Sequence, residues 1–263
     1  MTTTPTAPMV EVRAARGPVE ILRDYAQLTK IRVTTLVVVT AWCGFFFGEH
    51  KSGLPVFTLK LLWALAGIGM VSAGTACMNE IIERKSDALM RRTALRPLVT
   101  HSMSLPHAIA IWAIFTTTGA TLLAIELNPL TALLSLLTAA CYLLLYTPLK
   151  KISPLCTFVG AFPGAMPGVL GWTAARGRLE PEALVLFAIV FFWQFPHFHS
   201  IALLYRAPDS DVWGSPAAHH LGSHHAWHGR TSLFHRRIGP RTRSLLLLRP
   251  HLERVSAGLY ATF

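Results

Sequence analysis

Six stretches of this chain run for membrane-spanning lengths without one Asp, Glu, Lys or Arg, and that decides its fold class before any motif is read. They are residues 33–48, 61–78, 108–125, 127–149, 152–175 and 183–205, of which the first is a little short and the last carries His197 and His199. An apolar core helix of a soluble protein does not need such lengths, and a core built from six of them would be unusual. Hydrocarbon cannot satisfy a bare backbone, so each span must be helical. The expected fold is all-α, a polytopic transmembrane helical bundle of about six spans.

Three regions are expected. Residues 1–24 are polar, rich in Thr, Pro and Ala, and read as a disordered cytoplasmic tail and not as a secretory signal. Residues 25–206 hold the transmembrane domain. Residues 207–263 change character: the apolar run 245–248 is too short to span, and seven of the twelve histidines fall here among many arginines. A histidine-rich tract can bind metal, but this one has no regular ligand spacing. Its irregularity also reads as a truncated product or as coding sequence out of register, which sequencing the gene would decide.

The basic residues set the orientation. Arg13, Arg16, Arg23, Lys30 and Arg32 precede span 1, Arg84, Lys85, Arg91, Arg92 and Arg96 follow span 2, Lys150 and Lys151 follow span 4, and Arg206 follows span 6. With alternating spans all lie on one side, and the other receives Lys51, Lys60, Arg176 and Arg178. The N-terminus and the loop after span 2 are therefore expected in the cytoplasm, which in a bacterium places the chain in the inner membrane. The net charge of +11 is largely this asymmetry. It calls for membrane lipid and not for nucleic acid, for which there is no groove-reading motif. Cys43, Cys77, Cys141 and Cys156 show no CxxC spacing and read as small buried hydrophobes.

Residues 79–97 hold three acids and five basic residues, although charged residues are 14% of the chain. Asn79, Glu83 and Asp87 are four apart, which on a helix stacks them on one face. Hard oxygen ligands followed by Arg91, Arg92 and Arg96 at a membrane edge suit a diphosphate with Mg²⁺. An amphipathic loop obeying the positive-inside rule explains the arginines but not the oxygen-bearing face. Lys150 stands on the same expected side and can reach the same phosphate, as can Lys30 and Arg32, although each also reads as a membrane-edge anchor. Residues 158–172 interrupt a span with Gly160, Gly164, Gly168, Gly171, Pro163 and Pro167, for close packing or for a cavity. Gln194, Pro196 and His197 are polar or kinking groups inside an apolar run. His197 is thus a candidate substrate contact, or a histidine hydrogen-bonded between helices.

These segments together resemble the UbiA-type intramembrane prenyltransferases, and among them the heme O synthase branch, the protoheme IX farnesyltransferases. The likeness rests on Leu28, Thr29, Lys30 and Arg32; on Asn79, Glu83, Asp87, Met90, Arg92, Thr93, Arg96 and Pro97; on Tyr146, Thr147, Leu149 and Lys150. It continues through Gly164, Pro167, Gly168, Gly171 and Trp172, then Trp193, Gln194, Pro196, His197 and Phe198, and finally Tyr205 and Arg206. It covers roughly residues 20–206. The resemblance implies nine helices and farnesyl transfer from farnesyl diphosphate to a vinyl group of haem b, giving haem O for haem-copper oxidases. Mg²⁺ is the implied cofactor, haem b a substrate, and haem-handling or oxidase-assembly proteins the implied partners. Asn79, Glu83 and Asp87 would carry the metal, and with Lys150 form the catalytic set. Lys30, Arg32, Arg91, Arg92, Arg96, His197, Tyr205 and Arg206 would hold substrate. A second acidic loop is implied after span 6, where only Asp209 and Asp211 stand, and spans 7 to 9 have no counterpart. Other readings are prenylation of an aromatic quinone precursor, an anion-binding transporter and a non-catalytic truncated product.

Overall fold

In a computed structural model the structure describes residues 17–90, 93–150, 152–153 and 155–204. Among these the elements are all helical: α1 Pro18–Leu28, α2 Ile31–Ser52, α3 Leu59–Asp87, α4 Leu105–Glu126, α5 Pro129–Ala140, a π-helical turn Cys141–Tyr146, α6 Thr147–Leu149, α7 Cys156–Arg176 and α8 Pro181–Leu204. α1 begins inside the segment expected to be a disordered tail, so residues 18–24 are helical.

Local chemistry fixes the helix ends. Proline occupies the first turn of α1, α4, α5 and α6, where its missing N–H costs nothing. The Asn128 side chain caps α5 by accepting from the Thr131 N–H at 2.9 Å. Gly53 and Gly177 end α2 and α7 in the left-handed region that glycine adopts without strain.

Five helices are long and apolar enough to cross a membrane: α2, α3, α4, the continuous α5–α6 and α8. The stretch expected as the fifth span is the helix α7, which is not among these five because prolines and glycines dilute its apolar character. It is the inner helix, with twelve of its 21 residues buried. Glycine lets it lie against α2. A Cβ on Gly44 would collide with the Gly168 carbonyl, and one on Gly171 with the Ala41 carbonyl and, at 2.7 Å, the Phe45 nitrogen. α3 and α4 cross in the same manner, at Gly67 and Gly119.

α3 decides where the charged residues sit. Its apolar run does not end in a loop at residue 79; the helix continues to Asp87 and carries the acids on its last two turns. Leu28, Cys77, Ile81, Leu98, Met103, Ala108 and Ile111 form a buried cluster that fixes α1, α3, the turns before α4, and α4 to one another.

Candidate active site at the acidic end of helix α3

The 3.6-residue period places Asn79, Glu80, Glu83 and Asp87 on one face of α3, and all four are buried, none more than 2% exposed. Each finds a partner from a different part of the chain. Lys30 Nζ donates to Asn79 Oδ1 at 2.6 Å, and Asn79 Nδ2 donates to Thr147 Oγ1 at 3.2 Å. Lys150 Nζ stands 2.5 Å from Glu83 Oε1, held there by charge without an aligned hydrogen bond. The Arg96 guanidinium lies between two acids, with Nη1 2.5 Å from Asp87 Oδ2 and Nε 3.7 Å from Glu80 Oε1. Thr93 Oγ1 donates to the Asp87 carbonyl at 2.9 Å and so closes the turn that brings Arg96 back. Three carboxylates thus face three cations in a row along the helix.

The supporting backbone is unusual at two points. Lys30 caps α2 in the left-handed region at φ 47°, ψ 53°, strained for a residue with a Cβ. That conformation turns the chain sharply between α1 and α2, and the Lys30 ammonium meets Asn79. Burial, then the neighbouring Arg96, lower the Lys30 pKa to about 8, against the pull of Glu80 and Glu83. The second point is the π-helical turn before Pro148. Proline cannot donate, and the register widens ahead of it. The Tyr142 carbonyl then accepts from the Thr147 hydroxyl at 2.9 Å, leaving Thr147 aimed at Asn79.

Of the residues expected from sequence, the structure brings Lys30, Asn79, Glu83, Asp87, Arg96 and Lys150 together. Arg32 and His197 do not join them. Arg32 is exposed, and the exposed His197 stacks on Trp193 with ring centroids 4.5 Å apart. Arg91, Arg92, Tyr205, Arg206, Asp209 and Asp211 lie outside the described residues. Two site residues had gone unread. Glu80, three before Glu83 and seven before Asp87, carries the same helical signal as its neighbours, and its Oε2 has no hydrogen-bond partner among the described residues. Thr147 is hidden because its role depends on the π-helical register.

Among the described residues no three carboxylate, imidazole or thiolate groups converge on one point. The face is therefore not a complete protein cage for an ion. It does fit Mg²⁺, which takes one or two carboxylates and leaves the remaining positions to phosphate oxygens and water. A cleft of about 400 Å³ lies beside the site, between α1 and the start of α4, and contains none of its ligands. There Tyr25 Oη and His107 Nε2 are 2.7 Å apart, and Ser102 Oγ donates to Asp24 Oδ2 at 2.7 Å.

The opposite end of the bundle is tied by a second set of charges. Lys60 Nζ donates to the buried Glu49 at 3.0 Å and to the Ala175 carbonyl at 2.6 Å. Glu180 receives Arg176 Nε at 2.9 Å, the Trp172 indole at 3.2 Å and Arg178 Nε at 3.1 Å. Hydrogen bonding from Arg176 holds the Glu180 carboxyl at a pKa of about 2. The few basic residues assigned from sequence to the far side are thus engaged with acids at one rim.

An all-helical bundle of membrane-crossing helices, with a row of paired charges at one end, defines an integral membrane protein. The chain belongs to the UbiA prenyltransferase family, whose pattern matches residues 36–212. It is similar to the protoheme IX farnesyltransferase of Koribacter versatilis (strain Ellin345), 64% identical over 190 residues, covering 72% of this chain and 61% of the relative. The Solibacter usitatus (strain Ellin6076) protoheme IX farnesyltransferase is 42% identical over 191 residues, 70% of this chain and 65% of the relative. The mitochondrial protoheme IX farnesyltransferase of Arabidopsis thaliana is 39% identical over 184 residues, 70% of this chain and 42% of the relative. The matched region therefore spans less than two thirds of the length of these curated relatives. A solved structure described as giving "structural and mechanistic insights into the biosynthesis of Digeranylgeranylglyceryl phosphate synthase in membranes" superposes with a TM-score of 0.57. It is 19% identical and covers 65% of this chain and 59% of its own, a likeness of fold.

Proposed function

We propose that the chain transfers a farnesyl group from farnesyl diphosphate to a vinyl group of haem b, giving haem O. The observation that carries this reading is the row of pairs in which Lys30, Lys150 and Arg96 meet the buried Asn79, Glu83 and Asp87 at the end of a membrane helix. The relatives' names supply the substrates, and the row supplies the chemistry. A diphosphate needs cations to replace its hydration. Lys30, Lys150 and Arg96 are aimed at one face, and each exchanges its present oxygen partner for a phosphate oxygen as the diphosphate arrives. Arg91 and Arg92 complete the basic set, and His197, with Tyr205 and Arg206, contacts the second substrate. Mg²⁺ fits at Asn79, Glu83 and Asp87, where, when bound, it offsets negative charge on the leaving diphosphate. Asp209 and Asp211 are the corresponding candidates after α8.

The farnesyl C1–O bond breaks with its electron pair going to the diphosphate. The allylic cation then bonds to the terminal vinyl carbon, and water adds at the inner carbon with loss of one proton. The apolar walls beside the site keep water from the cation before the vinyl group reaches it. The basic-side asymmetry supports a bacterial inner membrane location, with the N-terminus and the acidic end of α3 facing the cytoplasm.

Membranes bearing the chain, supplied with haem b, farnesyl diphosphate and Mg²⁺, are expected to form haem O. Asp87→Ala lowers that rate roughly 100-fold or more, because Arg96 loses its anchor and the oxygen face loses a carboxylate. Chromatography of extracted haems reads the result. A full rate in the Asp87→Ala chain refutes the proposal, and product from an aromatic acid in place of haem refutes the choice of acceptor.

A further inference from the structure

The last turns of α8 carry an imidazole that the site above does not use. His199 Nδ1 lies 2.7 Å from the Phe195 carbonyl. A carbonyl oxygen can only accept, so Nδ1 donates, and Nε2 is the nitrogen left to face outward. The residue is exposed. An imidazole whose Nδ1–H is fixed by a backbone carbonyl, with Nε2 turned outward, is the usual arrangement of a metal-ligating histidine.

Its surroundings narrow the metal. Val185, Ile189, Phe192, Pro196 and His199 follow one another at helical spacing, and all are exposed, Phe192 by 68%. The opposite face of α8 is taken by α7, through Phe191 packed with Ala161 and Ala165 and through Gln194 Nε2 donating to the Ala161 carbonyl at 3.2 Å. Among the described residues no other imidazole, thiolate or carboxylate pair joins His199 in a metal cluster. One protein ligand above an apolar strip suits a metal whose four in-plane positions are filled by a planar macrocycle.

We infer that this outer strip of α8 docks haem b from the bilayer, with His199 Nε2 on the iron and the macrocycle lying over Phe192 and Pro196. The inference rests on the reading of haem b as substrate. His199 stands at the end of the apolar stretch Pro181–Ser200, so the propionates reach the headgroup zone while the ring stays in hydrocarbon. That end is also the end of the diphosphate site. Phe195 meets the Phe158 ring at 6.3 Å, Gly160 adjoins the Tyr146 ring, and Thr147 bonds Asn79.

The test is a titration of the detergent-solubilised full chain with ferric protohaem IX. The seven tail histidines, 219, 220, 224, 225, 228, 235 and 251, are first replaced by alanine so that they cannot compete. An imidazole-ligated Soret band is expected. His199→Ala weakens haem affinity roughly tenfold or more and loses that band, and added imidazole restores it. His50→Ala, at the far end of α2, leaves it in place. His199→Cys converts it to a thiolate-ligated spectrum, which reads the position even if the alanine variant folds poorly. An imidazole band that persists in His199→Ala or His199→Cys overturns the inference. Diphosphate release from farnesyl diphosphate is followed in the same samples. Haem held through His199 without any such release sinks the catalytic reading and leaves the docking site standing.

Discussion

Lys30 joins two roles in one residue. Its backbone sits in the left-handed region and its ammonium reaches Asn79 at 2.6 Å. The conformation costs a residue with a Cβ about 1–2 kcal/mol, and glycine does not bear that cost. Lys30→Gly is therefore expected to hold or raise the melting temperature in detergent, while weakening farnesyl diphosphate binding by roughly tenfold for the lost charge-assisted contact. Lys30→Met keeps the strain and loses the charge, so it weakens binding as the glycine variant does, without the gain from relieved strain. Equal binding by both variants and the parent would remove Lys30 from the site. Most of this site could be read in the chain. The four-residue spacing of Asn79, Glu83 and Asp87 needs only helical geometry, and Arg96 follows within reach. Thr147 could not be read, because a π-helical turn shifts the register that decides where its hydroxyl points.

At the scale of elements, α7 carries the lesson. Its glycines and prolines mark it as special in the sequence, without saying whether they serve a cavity or close packing. The structure assigns them separately: Gly168 and Gly171 let α2 approach, Gly160 receives the Tyr146 ring, and Gly164 makes room for the Gln194 amide. The two motifs at 158–172 and 193–198, read apart in the sequence, are two halves of one helix contact. Gly171→Val places a branched side chain against the Ala41 carbonyl and the Phe45 nitrogen, neither of which can give way without parting α2 from α7. The overpacking costs at least about 1–3 kcal/mol, expected as a clear fall in thermal midpoint or as failure to accumulate in the membrane. A midpoint equal to the parent's would refute the close crossing.

For the molecule as a whole, the helical membrane class was legible because hydrocarbon leaves the backbone no alternative to helix, whereas the count of six was one above the five helices long and apolar enough to cross. The division of labour between the two ends was not legible, since it depends on which charges meet. At the far rim Glu180 contributes to stability through its depressed pKa. The sign follows: the contribution is present above the ordinary carboxylate pKa near 4.5 and is lost as pH falls from there toward about 2. The thermal midpoint is expected to be flat from neutral pH to about 5 and to drop below 4.5, with Glu180→Gln starting lower and dropping less. An identical acid profile in that variant would show that the rim charges hold nothing.

The fastening of Glu49, Lys60, Arg176 and Glu180 also has a consequence for traffic. Those ties join α2, α3, α7 and the turn before α8 at one rim, so on the proposed function the bundle parts more readily at its other end, and a lipid pyrophosphate enters and leaves there, past Lys30 and Lys150.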